Sequence, residues 1–405
     1  MPHAAEAGRR GADVRSDCWI SITPESSGGA RLSIRSKVAA MYGGAIQEQI
    51  ASGLAELSIR DATVEVEDAG ALPWVIAARL EAAARRAYGP ALAGRLLPPA
   101  SPGASATTER ERFRRSRLYL PGNEPKFMVN AGLHGADGII LDLEDSVAPA
   151  EKDAARLLVR NALRSVDFGA CERMVRINQL PMGFDDLEAV IPENVHVVLI
   201  PKCESAQHVH DVEAKIRSLR RSDDPQVFLM PILETALGVL NAFEIATASR
   251  AIVALTIGLE DYTADIGTAR TEQGAESLWA RSMVINAARA AGVAPIDSVY
   301  SDVMNTEGLR ASVLEAKALG FEGKGCIHPG QIRVIHEGFA PTAAEIERAT
   351  KIVRAFEDAE AKGLGVVSLG SKMIDAPVVK RANRTVRLAI RSGKLAEGWR
   401  DAQQA

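Results

Sequence analysis

Two isolated carboxylates in the middle of the chain have the side chains and the spacing for a metal site. Glu234 directly follows the apolar run 227–233, and Asp261 comes just after the next apolar run, 251–258. No Cys or His accompanies them as Zn²⁺ would prefer, whereas oxygen ligands suit Mg²⁺. Because Mg²⁺ takes few protein carboxylates and keeps positions for water or substrate, two ligands leave room for a bidentate 2-keto acid. The pair therefore predicts a Mg²⁺ site that also binds a keto acid.

An arginine and an acidic cluster follow other apolar runs. Arg176 could grip the carboxylate of the keto acid with its planar fork of donors. The alternative for this arginine is an ion pair with Asp142 or Glu144. These two acids and Asp145 could in turn bind metal-coordinated waters, or they could hold Arg176 and Lys202 in place. We favour the holding role.

The other titratable motifs point less clearly to a site. His208 and His210 are two positions apart on a predicted helix, so they face different directions and do not suit a metal pair. His328 either lines the site or serves as a structural histidine. The arginine-rich segment 110–117 is either solvated linker charge or a phosphate-binding patch. Lys126 is the best-placed cation for the phosphates of a coenzyme A arm.

Alternating strands and helices are predicted to position these residues. Eight short apolar runs, each followed by a helical stretch, lie at 117–120, 138–143, 173–178, 195–200, 227–233, 251–258, 294–299 and 325–328. Their number and total span predict a (β/α)8 TIM barrel of the α/β class, with a doubly wound sheet as the alternative. The active site of such a barrel lies at the carboxyl ends of the strands, where the polar residues above are found.

A proline-rich segment divides the chain. Four prolines lie between Pro90 and Pro102, and the small residues that follow resist both helix and strand. Before this segment, alternation and helical spacing predict a small α+β module of three strands and two helices. We expect the linker to let the module move. The expected divisions are a flexible N-terminus (1–16), the α+β domain (17–89), the linker (90–115), the barrel (116–340) and a helical C-terminal extension (341–405).

Composition excludes several classes of protein. Lys and Arg total 48 against 52 Asp and Glu, so no global basic field points to nucleic acid. The longest stretch without a charged residue has 13 residues, short of the roughly 20 apolar residues that span a bilayer. The four cysteines lie far apart without a C-x-x-C pair, which is typical of reduced thiols, and the N-terminus lacks the apolar core of a secretory signal. We expect a cytoplasmic protein with no membrane or nucleic-acid partner.

Seven short strings occur in order from the first predicted barrel strand to the C-terminal extension. They are LYLPGN (118–123), LDLEDSV (141–147), VRIN (175–178), ETALGVLN (234–241), GLEDYTADIG (258–267), KGCIHP (324–329) and SKMIDAP (371–377). Together they resemble the citrate lyase β-subunit family, which includes malyl- and citramalyl-coenzyme A lyases. The resemblance implies a Mg²⁺-dependent barrel that reversibly cleaves 3-hydroxy-acyl thioesters into a 2-keto acid and a short acyl thioester. It matches Glu234 and Asp261 to the metal ligands and Arg176 to the keto-acid arginine.

The same resemblance implies further site residues. Tyr119, Lys126, Ile296 and Asp297 fall where relatives contact the coenzyme A portion of the substrate. Asp375 matches an aspartate that, in relatives with the extended C-terminus, reaches the neighbouring subunit's site and transfers the proton. This role implies a homo-oligomer. The alternative for Asp375 is an N-cap of the last helix.

The N-terminal module carries a second resemblance. Its string VEVEDAGALPWVIAARLE (64–81) is similar to the small acyl carrier subunit of citrate lyase and more loosely to that of malonate decarboxylase. In that family a serine near the start carries a phosphoribosyl-dephospho-coenzyme A arm. A gap-free alignment from Gly11 to Trp19 puts Arg15 at the serine position and Ser16 one place later. Ser16 is therefore the candidate attachment residue.

These features together predict a lyase that cleaves a citryl thioester to oxaloacetate and an acetyl thioester by a retro-Claisen reaction, with its carrier fused. The expected ligands are Mg²⁺, a small keto or hydroxy acid, and a coenzyme A-type thioester. Further copies of the chain and other citrate lyase subunits are the expected partners. One alternative is a lyase for free malyl- or citramalyl-coenzyme A with an inactive N-terminal module. Another alternative makes the module a docking element for partner subunits.

Overall fold

The N-terminal region folds as the predicted α+β module. The computed structural model describes residues 3–361, 367–369 and 372–400. The module comprises β1 (Ala5–Gly8), β2 (Cys18–Pro24), β3 (Ala30–Ser36), α1 (Ala39–Glu56), β4 (Ala62–Asp68) and α2 (Pro73–Tyr88). Its sheet has the order β1-β2-β4-β3, in which only the β3/β4 pair is parallel. Alternate residues of β2 and β4, such as Ile20 and Val64, point inward and pack with the apolar faces of both helices in one core.

The region from Ser116 onward forms the predicted (β/α)8 barrel. Its strands are β5 (Ser116–Pro121), β6 (Gly138–Asp142), β7 (Glu172–Arg176), β8 (Val197–Ile200), β9 (Phe228–Leu233), β10 (Ala254–Ile257), β11 (Ala294–Asp297) and β12 (Gly323–Cys326). They are parallel and close into a barrel because β12 pairs with β5. The sequence prediction of a barrel is confirmed, and the doubly wound alternative is wrong.

Helices connect the barrel strands on the outside. They are α3 (Pro125–Met128), α4 (Lys152–Ser165), α5 (Gly183–Val190), α6 (Ala206–Leu219), α7 (Ala236–Leu240), α8 (Ala242–Thr247), α9 (Leu259–Asp265), α10 (Leu278–Ala291) and α11 (Thr306–Leu319), and α12 (Gly330–Phe339) follows the last strand, β12. Inward-facing residues such as Met174, Leu199 and Met230 fill the barrel interior. Of the helices that the structure describes, none has the length and apolar character needed to cross a membrane.

The N-terminus and the linker differ from expectation. The expectation of a flexible N-terminus is wrong for residues 5–8, because they form β1 and complete the hydrogen bonds at the edge of β2. The linker 90–115 is packed against both the module and the barrel. Leu96 is buried and donates its N–H to Glu81 Oε2 at 2.7 Å, Arg164 Nε donates to Pro98 O at 2.6 Å, and Arg173 Nη2 donates to Ala106 O at 2.7 Å. The module, the linker and the barrel accordingly form one compact unit, Met1–Ile332.

Residues Arg333–Ala405 form a second compact unit. It contains α13 (Ala343–Glu360), the hairpin strands β13 (Val367–Leu369) and β14 (Lys372–Ile374), and α14 (Ala376–Arg391). A capping box of Thr342 and Glu345 begins α13. The two helices share an apolar core with Trp399, as a predicted helical extension requires. The predicted turns at 363–365 and at Gly370 lie outside the described residues.

Candidate active site at the carboxyl ends of the barrel strands

A cavity of about 470 Å³ opens at the carboxyl ends of the barrel strands. Its wall brings together both predicted metal ligands, Glu234 and Asp261, with Arg176 and Tyr119. These residues are separated in sequence by up to 142 positions, and they meet because parallel strands end at the same rim. Their individual roles stay predictions.

Glu234 is a buried carboxyl at the start of the loop after β9. Its side chain is almost inaccessible, and its residue is 2% exposed. Oε1 accepts a hydrogen bond from the backbone N–H of Lys202 at 2.8 Å. Burial, reinforced by the charges of Glu144 and Asp261, raises the pKa of Glu234 to about 8. Because burial disfavours the charged form of this carboxyl, a bound cation would stabilise that form.

The backbone of the neighbouring loop is shaped around Glu234. A Cβ atom on Gly258 would lie 2.4 Å from Glu234 Oε2 and 2.8 Å from its Cβ. Because these distances are shorter than van der Waals contact, only glycine fits at the end of β10 with Glu234 in this position. Sequence reasoning missed this requirement, and a glycine directly before Leu259 at a strand end was the available signal.

Asp261 faces Glu234 from helix α9 and shares a cation with the acidic cluster. Its side chain is 39% exposed, and Oδ1 lies 3.5 Å from Lys202 Nζ. The same ammonium lies 3.2 Å from Glu144 Oε1. Although burial opposes the effect, Glu144 and Asp145 raise the pKa of Lys202. Lys202 has a φ of 44°, and it contacts Glu234 with its backbone and Asp261 with its side chain, a double role that the sequence did not reveal.

Arg176 is fixed at the end of β7 by the acid that the sequence offered as its alternative partner. Nε and Nη2 donate to Asp142 Oδ1 and Oδ2 at 2.6 and 2.8 Å. Although burial opposes it, these two bonds hold the pKa of Asp142 below its usual range. The guanidinium carbon also lies 5.4 Å from the centre of the Tyr119 ring. The bidentate edge is therefore occupied by Asp142, and the remaining nitrogen, Nη1, lies 2.9 Å from Glu144 Oε2.

Glu144 has an unsatisfied oxygen beside Arg176. Oε2 is buried and accepts no hydrogen bond, although Arg176 Nη1 lies 2.9 Å away. Burial and the nearby charge of Asp145 raise the pKa of Glu144. The pKa values of Glu144 and Glu234 are thus both raised, in each case chiefly by burial.

These oxygen donors fit a magnesium ion. Carboxylate oxygens are hard ligands. The raised pKa of Glu234 shows that its charged form is disfavoured while no cation is bound. Among the described residues, no group of three or more His, Cys, Asp and Glu side chains is placed to bind a metal. A site here would therefore rest on Glu234 and Asp261, with the remaining positions open to water or substrate.

The residues expected to contact coenzyme A are divided between the cavity and other places. Tyr119 and Asp297 line the cavity. The Asp297 carboxylate, however, accepts from Lys324 Nζ at 2.6 Å and from Arg281 below the rim. Lys126 lies on α3 and pairs with Glu124 at 3.1 Å. Ile296 is fully buried in the barrel interior, and its contact with coenzyme A stays a prediction.

Asp375 and Ser16 each have a local structural role. Asp375 caps α14, since its Oδ1 accepts from the N–H of Val378 at 3.2 Å, as its alternative reading predicts. Ser16 is half-buried before β2, has a φ of 57°, and donates its N–H to Ala69 O at 3.0 Å. Arg15 beside it is exposed. The predicted proton transfer and the predicted modification are compatible with these contacts and stay predictions.

Two arginines of the arginine-rich segment, Arg114 and Arg117, are buried inside the protein. Arg114 is buried and forms a bidentate pair with Glu172 at 2.7 and 2.8 Å. Arg117 is 1% exposed inside the barrel, where it lines the bottom of the cavity and donates to Met230 Sδ. Strand β5 begins within the arginine-rich segment, so these arginines lie at the bottom of the barrel and in its interior. An arginine inside an apolar strand run was the signal that sequence reasoning missed.

The histidines make backbone contacts. His328 is exposed, and its Nδ1 accepts from the N–H of Gly330 at 3.1 Å, as expected of a structural histidine. His208 Nδ1 accepts from the N–H of Glu204 at 3.3 Å. His210 Nε2 lies 3.0 Å from Ala248 O on the surface.

Known proteins resemble both parts of the chain. Residues 115–329 match the HpcH/HpaI aldolase/citrate lyase family, and residues 7–87 match the malonate decarboxylase delta subunit, an acyl carrier protein family. The citrate lyase subunit beta of Leuconostoc mesenteroides subsp. cremoris is 42% identical, over 69% of this chain and 94% of that protein. Human mitochondrial citramalyl-CoA lyase is 33% identical, over 68% of this chain and 85% of that protein.

A solved structure has the same architecture. The CitE protein of Mycobacterium tuberculosis, crystallised with magnesium, acetoacetate and coenzyme A, is 31% identical and superposes with a TM-score of 0.58. The superposition covers 69% of this chain and 99% of that one.

Proposed function

Because the chain belongs to the HpcH/HpaI aldolase/citrate lyase family, we propose that it cleaves a citryl thioester to oxaloacetate and an acetyl thioester in a Mg²⁺-dependent reaction. It is a carbon–carbon lyase of the citrate lyase β type. One observation carries the proposal. A buried carboxyl with its pKa raised to about 8, Glu234, shares a cavity with a second carboxylate, Asp261, and an immobilised arginine, Arg176.

The reaction requires the site to stabilise negative charge. In the retro-Claisen step the 3-hydroxyl loses its proton, the carbon–carbon bond breaks to form the keto group of oxaloacetate, and the acetyl thioester leaves as an enolate that takes up a proton. Bound Mg²⁺ supplies stabilisation of the charge at the keto-acid oxygens. Glu234 and Asp261 would hold the ion, and Arg176 would pair with the carboxylate of the keto acid. Because Asp142 already fixes the guanidinium, little ordering is needed when the substrate arrives.

The activity can be tested with the purified full-length chain. Citryl-coenzyme A is added with Mg²⁺, and oxaloacetate is measured by coupling its reduction to NADH oxidation. We expect oxaloacetate release that stops with EDTA and returns with excess Mg²⁺. Malyl- and citramalyl-coenzyme A are tested in parallel, because the human relative is a citramalyl-CoA lyase. Preferential release of glyoxylate or pyruvate would favour the free-thioester alternative, and release from none of the three substrates would reject both.

The N-terminal module supports a fused carrier. Its four strands form one sheet of order β1-β2-β4-β3, and its sequence matches an acyl carrier family over residues 7–87. We place a covalent phosphoribosyl-dephospho-coenzyme A arm on Ser16, which lies one position after the family's serine. Intact-protein mass, followed by peptide mapping after co-expression with the transferase system, tests this assignment. A loaded residue other than Ser16 contradicts it, and an unloaded protein favours the inactive or docking alternatives for the module.

We assign the proton that quenches the enolate to Asp375 of a neighbouring subunit. The support for this assignment is the match of its sequence string to the family. Within its own unit the residue caps α14. Mixing inactive Asp375→Asn chains with inactive Glu234→Ala chains tests the assignment, since a shared site would recover part of the activity. No recovery, with subunit exchange confirmed by two affinity tags, would exclude the shared arrangement.

Three wider expectations are retained as proposals. A homo-oligomer follows from the role given to Asp375, and association with other citrate lyase subunits follows from the carrier-like module. A cytoplasmic location agrees with four cysteines that are free and buried. The boundaries at residues 116 and 340 for the lyase domain also stay a proposal.

A further inference from the structure

The segment that contains Ser16 is connected to the barrel mouth by one buried arginine. Arg79 lies on α2 and is 1% exposed. Its Nε and Nη2 donate to Asp17 Oδ1 and Oδ2 at 3.0 and 2.9 Å. Nη2 also donates to the backbone carbonyl of Asn123 at 3.1 Å. Since Asp17 follows Ser16 and Asn123 belongs to the loop after β5, a single guanidinium joins the attachment segment to the loop at the carboxyl end of a barrel strand.

The surrounding backbone encloses this bridge. Gly8 has a φ of 92°, and a Cβ atom there would lie 1.9 Å from Cys18 O and 3.2 Å from Arg79 Cδ. The end of β1 therefore packs directly against the arginine stem, which only glycine permits. The next residue, Arg9, pairs with Glu124 beside Asn123. The contact thus continues from the buried bridge to the surface.

A second set of contacts fixes the module along α4. Glu81 is fully buried and accepts from Arg160 Nη1 and Nη2 at 3.1 and 2.7 Å. Asn161 Nδ2 donates to the backbone carbonyl of Trp74 at 3.1 Å. The apolar core of the module also includes Ala154 of this barrel helix. With contacts at the mouth loop and along α4, the module has one orientation on the barrel.

We propose that the bridge from Asp17 through Arg79 to Asn123 presents the arm on Ser16 to the barrel of the same chain, so that the carrier-bound thioester reacts in cis. The inference rests on the proposed function, because it requires a loaded carrier and an active barrel. A carrier that is a separate protein must dock anew for each encounter. A carrier in one fixed orientation holds its arm at a high effective concentration near the barrel. The entropy of ordering the two domains is lost once, when the chain folds, and not at each encounter. Arg79 is thus a positioning residue.

The first test compares carrier-bound and free substrate in Arg79→Lys. The four native cysteines are buried, so the thiol of the arm can be acetylated selectively. Oxaloacetate is then added, and formation of the citryl arm is followed as a gain in intact-protein mass. An ammonium cannot bind both Asp17 oxygens and the Asn123 carbonyl. We expect condensation on the arm to slow more than tenfold, while kcat for free citryl-coenzyme A stays within twofold of wild type.

A matched control and the contrary results define this test. Arg35→Lys changes an exposed arginine of the same module that pairs with Glu67, and we expect it to alter neither rate. Equal losses on both substrates in Arg79→Lys would reduce Arg79 to a structural residue, and no loss on either would remove the bridge from the reaction. A wild-type chain that cleaves free citryl-coenzyme A but carries no arm would overturn this inference alone. A loaded chain without any lyase activity would overturn the proposed function itself.

The second test asks directly whether the reaction occurs in cis. Loaded Glu234→Ala chains carry an arm without an intact metal site, and Ser16→Ala chains carry an intact barrel without an arm. The two are mixed under conditions in which exchange of differently tagged subunits is confirmed. Delivery in cis predicts no citryl arm in the mixture. Its formation at a rate near that of the wild type would show delivery between chains and reject the proposal.

Discussion

Two buried glutamates, one at the barrel mouth and one between the carrier-like module and the barrel, have opposite electrostatics. Glu234 is 2% exposed and has its pKa raised to about 8. Glu81 is 0% exposed, yet its pKa lies below the usual value. Burial opposes ionisation at both places. Arg160, Arg85 and the N–H of Leu96 overcome it at Glu81, whereas Glu234 receives a single backbone N–H.

The difference separates charge used for stability from charge reserved for a ligand. At Glu81 the protein supplies enough donors to satisfy a buried carboxylate, so the charge contributes to the interface between the domains. At the mouth, no described residue forms an ion pair with Glu234, and Glu144 Oε2 lies near Arg176 but accepts no hydrogen bond from the described residues. A bound divalent cation would complete only the second arrangement. The same substitution should therefore have opposite consequences at the two places.

The largest expected effect is on catalysis at the mouth. Glu234→Gln keeps the shape of the side chain but removes the charge that would hold Mg²⁺, so we expect kcat for citryl-coenzyme A to fall roughly a thousandfold. Asp261→Asn should act in the same direction. Unfolding in urea should show an unchanged or increased free energy for Glu234→Gln, since a costly buried carboxyl is gone. Near-normal turnover with an ordinary Mg²⁺ titration would remove Glu234 from the metal site.

The matched substitution at the other glutamate should affect stability. Glu81→Gln leaves the Arg160 guanidinium buried without its counter-charge, and we expect the free energy of unfolding to fall by about 3 kcal/mol. The kcat for free citryl-coenzyme A should stay within twofold of wild type at a temperature where the variant is folded. If Glu81→Gln impaired catalysis and spared stability, the contrast between the two glutamates would be false.

Acidification should destabilise the protein at the contact between His196 and the packed linker. His196 is buried, and burial lowers its pKa to about 4. Its Nδ1 accepts from the N–H of Arg173, and Nε2 lies 2.7 Å from Ala106 O, so the neutral Nε2–H form fits. The unfolded chain takes up this proton near pH 6.5 and the folded chain only near pH 4. Stability is therefore full above about pH 6.5 and is lost as the pH falls toward 4, by about 2 kcal/mol at pH 5.

The measurement is urea unfolding at pH 8 and pH 5 in wild type and His196→Gln. An amide stays neutral at both values, so we expect the variant to lose about 2 kcal/mol less than wild type on acidification. Identical losses in the two proteins would show that His196 does not titrate as its burial implies.

The smallest expected effect concerns the arginine at the barrel mouth, Arg176. Arg176→Lys keeps the positive charge near Glu144 but loses the two-point contact with Asp142, so the cation that meets the keto acid is no longer fixed. We expect more than a tenfold loss in kcat/KM, seen mainly as a higher KM for oxaloacetate in the condensation direction. An unchanged KM for oxaloacetate would reject this role for Arg176.

The barrel and its site were accessible from sequence because their signals are local. Each strand is a short apolar run, and the polar residues of the site follow such runs directly, as Glu234 follows β9. Parallel closure then places all the carboxyl ends at one rim, so convergence of Glu234, Asp261 and Arg176 needs no knowledge of side-chain contacts.

The pairing of buried charges was decided only by the tertiary structure. Sequence composition determined a proline-rich segment between two domains and predicted that it would move, whereas Leu96, Pro98 and Ala106 are held to the barrel by Asn161, Arg164 and Arg173. The partner of Arg176 was one of two possibilities until Asp142 and Glu144 had positions. Arg79 gave no signal at all in a helix that reads as apolar. Periodicity depends on neighbours in sequence and can be read from a string, but the energy of a buried charge depends on which donors and acceptors arrive from other elements, and only the folded chain specifies them.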